Sequence, residues 1–244
     1  MTQRAYKYRL YPDQSQRKAL ARTFGCVRAV WNHNTEVFRS YDAESNPRPV
    51  PLTSTQLRND PERAYMLEVS AAALQQKEND FKEFRKQFFK KDRRRGLGMP
   101  QYHNKHGRQS YRLPAQKFDV LENSIRLERI GHVEAAIHRP VPAGSKLVSV
   151  TVSRDTCGDY FASVLVDEAI QPRFVPTART VGVDVGLTHF ATLSTGEEIE
   201  NPRWLRKNQA RLRQAQKHLS RKRKGSVRRE KCKLAVASTM FVNA

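Results

Sequence analysis

Asp184 stands in the middle of the stretch RTVGVDVGLTHFATLSTGEEI, residues 179–199, with glycines two positions before and after it, Gly182 and Gly186. A carboxylate among valines in a strand is costly to bury, and an ion pair, backbone hydrogen bonds or a bound metal ion can each offset its desolvation. Paired acids are the commoner case, and residue types alone leave all three open. The flanking glycines would let backbone or a ligand come close to the carboxylate.

A second set of residues could bind polyanions. The chain has 45 Lys and Arg against 24 Asp and Glu, a formal net charge of +21 and a pI near 10.3. The cations cluster. Residues 81–95, FKEFRKQFFKKDRRR, hold Lys82, Arg85, Lys86, Lys90, Lys91, Arg93, Arg94 and Arg95 against two acids. Residues 203–233 hold fourteen Lys or Arg and one Glu, including Arg221, Lys222, Arg223 and Lys224 in a row. One-sign blocks repel themselves and are tolerated most easily when a polyanion neutralises them, so nucleic acid is the expected partner. Between these blocks, QYHNKHGRQSYR interleaves Tyr102, Lys105, Arg108, Tyr111 and Arg112, a pattern suited to RNA or single strands and equally to a solvated loop anchored by two aromatics.

Other functions are disfavoured by composition. The N-terminal MTQRAYKYRLYPDQ lacks the apolar core of a signal peptide, and no run of eighteen apolar residues occurs, so a cytoplasmic protein is expected. Cys26, Cys157 and Cys232 are odd in number and far apart, without the paired spacing of a zinc ribbon. His103 and His106 share a basic loop, where phosphate or backbone contact fits better than metal. Cys26 and Trp31 fall on an apolar stripe and read as core.

The elements that must position these residues follow from periodicity. QRAYKYRL, residues 3–10, alternates as a half-exposed strand. From Asp13, apolar residues at Leu20, Phe24, Val27, Trp31 and Phe38 mark a helix of about six turns, with Gly25 as the place where it would break. The proline-rich DAESNPRPVP is a loop. A short helix follows at 53–59, and another from Ser70, its N-cap, through Lys91, with a stripe of Leu74, Phe81, Phe84 and Phe88. Beyond Gly98 short strands predominate, among them a hairpin of 147–152 and 160–166 turning at Cys157-Gly158. The opening strand is expected to join them in a small barrel, which makes the helices an insertion. After the linker IQPRFVPTA come strands at 180–185, 189–193 and 197–199 and one basic helix after Pro202. A strand, tight turn, strand, turn, strand order is how a ribonuclease-H-like domain opens.

The stretches YKYRLYPDQSQ, FGCVRAVWNH, PQYHNKHGRQSYRLP, VGVDVGLTHFATLSTGEEIENPR and LSRKRKGS, in this order from the N-terminus to about Lys233, resemble the TnpB (OrfB) family of insertion-sequence proteins. The resemblance implies an RNA-guided DNA endonuclease whose partners are a guide RNA and DNA. It implies an α+β fold: a wedge-like β-barrel (residues 1–12 and 96–170), a helical, helix-turn-helix-like recognition insertion (13–95), a linker (171–179) and part of a RuvC-like, ribonuclease-H-type domain with its basic helix (180–237). On that mapping Asp184 is the first RuvC acid and a ligand of catalytic Mg2+, and the basic segments contact nucleic acid. The family pattern goes on to a glutamate, a four-cysteine zinc ribbon and a final aspartate. Here residues 238–244 depart from it, and the acids after Asp184 are Glu197, Glu198, Glu200 and Glu230. The expectation is therefore a truncated, nucleoid-associated prokaryotic protein that binds nucleic acid without cutting it, with no tightly bound Mg2+ and no zinc site. A DNA-binding regulator and the product of a decaying, frameshifted gene are the alternatives.

Overall fold

The computed structural model describes residues 2–40, 50, 52–90, 98–168 and 180–241. The expected linker 171–179 and, apart from Val50, the proline-rich loop 42–51 lie outside them. The chain divides into two compact units, residues 1–169 and 170–244.

In the first unit the opening strand, β1 (Thr2–Tyr11), turns Tyr6, Tyr8 and Leu10 inward and the alternate residues out. It pairs antiparallel with β7 (Tyr160–Glu168) on one side and β5 (Gly131–Ala136) on the other. The remaining strands, β2 (Gln109–Pro114), β3 (Phe118–Val120), β4 (Ser124–Leu127) and β6 (Lys146–Arg154), complete a seven-stranded sheet of order β2-β6-β7-β1-β5-β4-β3. Its two end strands, β2 and β3, are neighbours in the chain, joined by a 3-10 turn at Ala115–Lys117. The sheet therefore curls into a nearly closed antiparallel barrel, which protects edges that would otherwise invite pairing. Period-two patterning fills the interior with Leu113, Phe118, Ile125, Leu127, Val133, Val150, Val152, Val164 and Val166.

Among the described residues, three α-helices and a 3-10 helix (Pro61–Glu68) stand between β1 and β2. Asp13 starts α1 (Gln14–Arg39) through a capping box: its carboxylate accepts the Gln16 N–H at 2.8 Å and the Gln16 side chain accepts the Asp13 N–H at 3.1 Å. The Gln16 amide also donates to the His132 carbonyl at 2.7 Å, which ties the helix to the barrel. The helix runs through Gly25 unbroken, because burial of Leu20, Phe24, Val27, Val30 and Phe38 outweighs the roughly 1 kcal/mol that one interior glycine costs. Thr53 caps α2 (Ser54–Arg58), and Ser70 caps α3 (Ala71–Phe88), as its position predicts. Trp31 and Phe38 of α1 meet Phe81 and Phe84 of α3 edge-on at 5.1 to 6.1 Å between ring centroids.

The buried carboxylates of this unit are paired. Glu168 accepts the Tyr6 hydroxyl at 2.7 Å and an Arg4 guanidinium hydrogen bond at 2.9 Å. Burial alone would raise the Glu78 carboxyl, but hydrogen bonds from Lys82 and the Ser54 N–H outweigh it and hold the group below the usual carboxylate range.

The second unit contains a three-stranded antiparallel sheet of order β10-β9-β8, with β8 (Val183–Asp184), β9 (His189–Leu193) and β10 (Glu198–Glu200). The first strand is two residues long rather than the expected 180–185, and both are exposed. The expected single basic helix is instead a helical hairpin, α4 (Trp204–Ser220) and α5 (Val227–Phe241). The break falls where Gly225 takes a φ of +84°, a conformation that terminates helices and that only glycine adopts readily. Residues 238–241 are the last residues of α5.

Candidate nucleic-acid interface and carboxylate position

The tip of the α4–α5 hairpin is built to display cations. Arg229 donates from one guanidinium nitrogen to the Leu219 and Lys222 carbonyls, at 3.0 Å each, and so caps the negative end of α4. Ser226 accepts the Arg229 N–H at 3.2 Å and donates to the Arg223 carbonyl at 2.9 Å. These bonds fix the turn, with Arg221, Arg223 and Lys224 exposed and Lys222 half-buried. Four successive cations stand on one short turn.

On α3, Lys86 and the following Lys90 are exposed, whereas Arg85 is half-buried. Lys82 is bound to Glu78, so part of its charge is committed within the protein. Lys91, Arg93, Arg94 and Arg95 lie outside the described residues.

The aromatics and cations of residues 102–112 separate into two groups. Lys105 and Arg108 are exposed, and Tyr102 is 49% exposed beneath the Arg39 guanidinium at 5.4 Å. Tyr111, expected at the same surface, is 3% exposed and packs edge-on against Phe24 at 5.6 Å, in the seam between barrel and helix. Burial pushes its hydroxyl far above the ordinary tyrosine value. The physical reason is the strand period: β2 begins at Gln109 and turns Tyr111 and Leu113 inward, so Tyr111 cannot share a face with Tyr102. Arg112 faces out, but its guanidinium is paired with Asp80 at 2.6 Å.

The loop that carries Tyr102 is clamped to α1. The Trp31 indole N–H donates to the Gln101 carbonyl at 2.9 Å, and the Asn32 side chain both donates to the His103 carbonyl and accepts its N–H, at 3.0 and 2.8 Å. The His103 ring stacks on Trp31, 4.8 Å between centroids with planes 7° apart. With that face covered, partial burial, then the Lys77 and Arg28 charges, hold the imidazole below its ordinary value. Sequence reasoning passed over Arg28 and Lys77. The available signal was a cation interrupting each apolar helix face, four residues after Phe24 and three after Leu74.

Asp184 is on the exposed surface of β8, not inside a strand core. In the sheet register it pairs with Thr192, and Thr192 pairs with Glu198, so the two acids stand in one row with a threonine between them. Glu198 lies 3.5 Å from the His189 imidazole. Both glycines serve backbone packing: Gly182 exchanges hydrogen bonds with Ser194, and a Cβ on Gly186 would sit 3.3 Å from the His189 carbonyl. Among the described residues no group of three or more His, Cys, Asp or Glu could hold a metal ion. Asp184 fits one corner of an oxygen-rich Mg2+ shell, but the described residues do not form the shared carboxylate cage that two such ions need.

Comparison with known proteins decides the family. A helix-turn-helix domain profile of the OrfB group matches residues 1–34, which here are β1 and most of α1, and a profile described as a probable transposase matches residues 149–239. A candidate RNA-guided DNA endonuclease of Streptomyces pristinaespiralis is 37% identical over 240 residues, covering 96% of this chain and 58% of that protein. The chain belongs to the TnpB (OrfB) family. A second relative, the candidate RNA-guided DNA endonuclease InsQ of Escherichia coli K12, is 27% identical over 228 residues, covering 91% of this chain and 55% of its own length. The chain thus spans between half and two thirds of the length of these TnpB relatives. A Cas12f1 chain, from a complex with single guide RNA and target DNA, aligns over 99% of this chain and 75% of its own, with 10% identity and a TM-score of 0.42, a likeness too distant to bear on fold or function. No described helix is long and apolar enough to cross a membrane.

Proposed function

We propose that this TnpB-family chain binds guide RNA and DNA, and that it carries the binding part of an RNA-guided DNA endonuclease. The observation that supports this most is the hairpin tip, where Arg221, Lys222, Arg223 and Lys224 are held on a turn fixed by Arg229, a placement that costs self-repulsion unless phosphates neutralise it. The exposed Lys86, Lys90, Lys105 and Arg108, with Tyr102, extend the interface in the first unit. Residues 1–12 and 96–170 act as the wedge barrel, 13–95 as the recognition insertion, and 180–237 as the opening of a RuvC-like domain.

In this reading Asp184 is one metal-ligand carboxylate of that domain. Its exposure on a strand end suits an ion shared with substrate phosphates, and when Mg2+ is bound it would supply charge neutralisation at the scissile phosphate. On this reading residues 1–244 bind without cutting, since among the described residues Asp184 shares its row with Glu198, which is beside His189, and no group of three or more His, Cys, Asp or Glu gathers there.

Fluorescence anisotropy of the purified chain with a labelled RNA across a salt series tests the binding reading. Affinity should fall steeply between about 50 and 200 mM salt if six or more phosphates are contacted. Weak binding without a salt slope would exclude it.

A further inference from the structure

Within the first unit, α1, α3 and residues 102–110 enclose a pocket of about 220 Å³. Its charge is one-sided: Arg28, Lys77 and Arg108 line it, and no carboxylate does. The Lys77 side chain is only 16% exposed and reaches Asp80 at 2.9 Å, but Asp80 also holds Arg112, so one acid is divided between two cations. Arg28 donates to the neutral Gln109 amide oxygen at 2.8 Å, and among the described residues neither Arg28 nor Arg108 makes an ion pair. Three cations around a partly enclosed space concentrate positive potential there, and a bound anion would offset it.

Asn104 and Gln109 commit side-chain hydrogen bonds to the loop itself. The Asn104 side-chain oxygen accepts the N–H groups of His106 and Gly107, at 2.9 and 2.8 Å. The Gln109 amide donates to the Asn104 and Gly107 carbonyls, at 2.8 and 3.0 Å. These side chains build the loop, which leaves the cations facing the space. The volume suits a single phosphate with its sugar.

We propose that this pocket seats a single phosphate group of a bound nucleic-acid strand, with Arg28 and Arg108 donating to its oxygens and Lys77 supplying charge behind them. The seat differs from the open basic surfaces in that several cations serve one phosphate. It rests on the nucleic-acid reading for the source of that phosphate.

The full chain carrying Trp204→Phe, which leaves Trp31 beside the pocket as the remaining tryptophan, is titrated with inorganic phosphate and followed by emission. A saturable change is expected, abolished by Arg28→Gln with Arg108→Gln. No saturable change, or an equal one with chloride at matched ionic strength, overturns the seat. A single-stranded RNA, bearing either a 5′-phosphate or a 5′-hydroxyl, is then bound across a salt series. Each phosphate contact to a single strand contributes about 0.7 to the slope of log affinity against log salt. The triple variant Arg28→Gln, Lys77→Met, Arg108→Gln should lower that slope by about this one step, and Arg108→Gln alone, an exposed change that spares folding, should weaken binding while lowering the slope by no more than that step. Preference for the 5′-phosphate would place a strand end in the seat, and equal affinity an internal phosphate. An unchanged slope, or a fall of about 2 in the triple variant, overturns the shared seat while leaving the proposed function standing; absence of RNA binding by the parent chain overturns both.

Discussion

The hairpin tip offers the sharpest test of the binding surface, because charge and geometry can be altered separately. Replacing Arg221, Arg223 and Lys224 with Gln removes three exposed cations and leaves the Arg229 bonds to Leu219 and Lys222 in place. If each cation neutralises its own phosphate on a single strand, the slope of log affinity against log salt should fall by about 2.1. Between about 50 and 200 mM salt that removes roughly a 20-fold share of the affinity loss. Arg229→Gln does the reverse: the tip cations stay, but two carbonyls at the end of α4 lose a charged donor. That change should loosen the turn by about 1 to 2 kcal/mol, since the donor is only partly buried. Anisotropy against a labelled RNA gives the slopes, and amide exchange at residues 219–226 reports the turn. A triple variant with the parent's slope would refute the assignment of these cations to phosphates. Unchanged exchange in Arg229→Gln would refute the capping argument.

Other perturbations follow from single contacts. Tyr6→Phe removes the 2.7 Å hydrogen bond to the buried Glu168 and should cost about 1 to 3 kcal/mol of first-unit stability in a denaturant titration. Gly225→Ala should cost about 1 kcal/mol, read as faster exchange in the 221–226 turn, because its φ of +84° disfavours any Cβ, and Gly225→Asn should cost less. Glu78 has its folded carboxyl depressed, so its stabilisation is complete above the unfolded carboxylate range, about pH 4.3, and is lost as pH falls through the lower folded value. Melting curves from about pH 7 to pH 3 should therefore drop less steeply for Glu78→Gln than for the parent chain.

Much of the fold was legible where one period dominated. Alternation gave β1, apolar spacing gave the helix from Asp13, and Ser70 marked the start of α3 as its N-cap, because a cap acts through a bond three residues away. Gly25 misled, since helix propensity is weaker than the burial of an amphipathic face. The break in the basic segment was visible as Gly225, but its φ depends on how α4 and α5 pair. The carboxylates show the limit most clearly. Asp184 drew attention as a charge among valines, yet it is exposed, whereas Glu78, in polar surroundings of sequence, and Glu168 are buried acids. Burial is decided by tertiary neighbours, and Asp184, on a two-residue strand at the end of the described sheet, is left exposed. Tyr102 and Tyr111 look alike in sequence, and only the start of β2 sends one outward and the other into the core.

A combined binding and cleavage assay decides whether residues 1–244 bind nucleic acid without cutting it and whether Asp184 serves there as a metal-ligand carboxylate, as proposed. The purified chain is given a guide RNA, a DNA target matched to it and Mg2+. Guide-dependent, salt-sensitive retention of intact DNA, equal in the parent and Asp184→Ala chains, is the expected result. Guide-dependent cleavage by the parent chain that disappears in Asp184→Ala would contradict it.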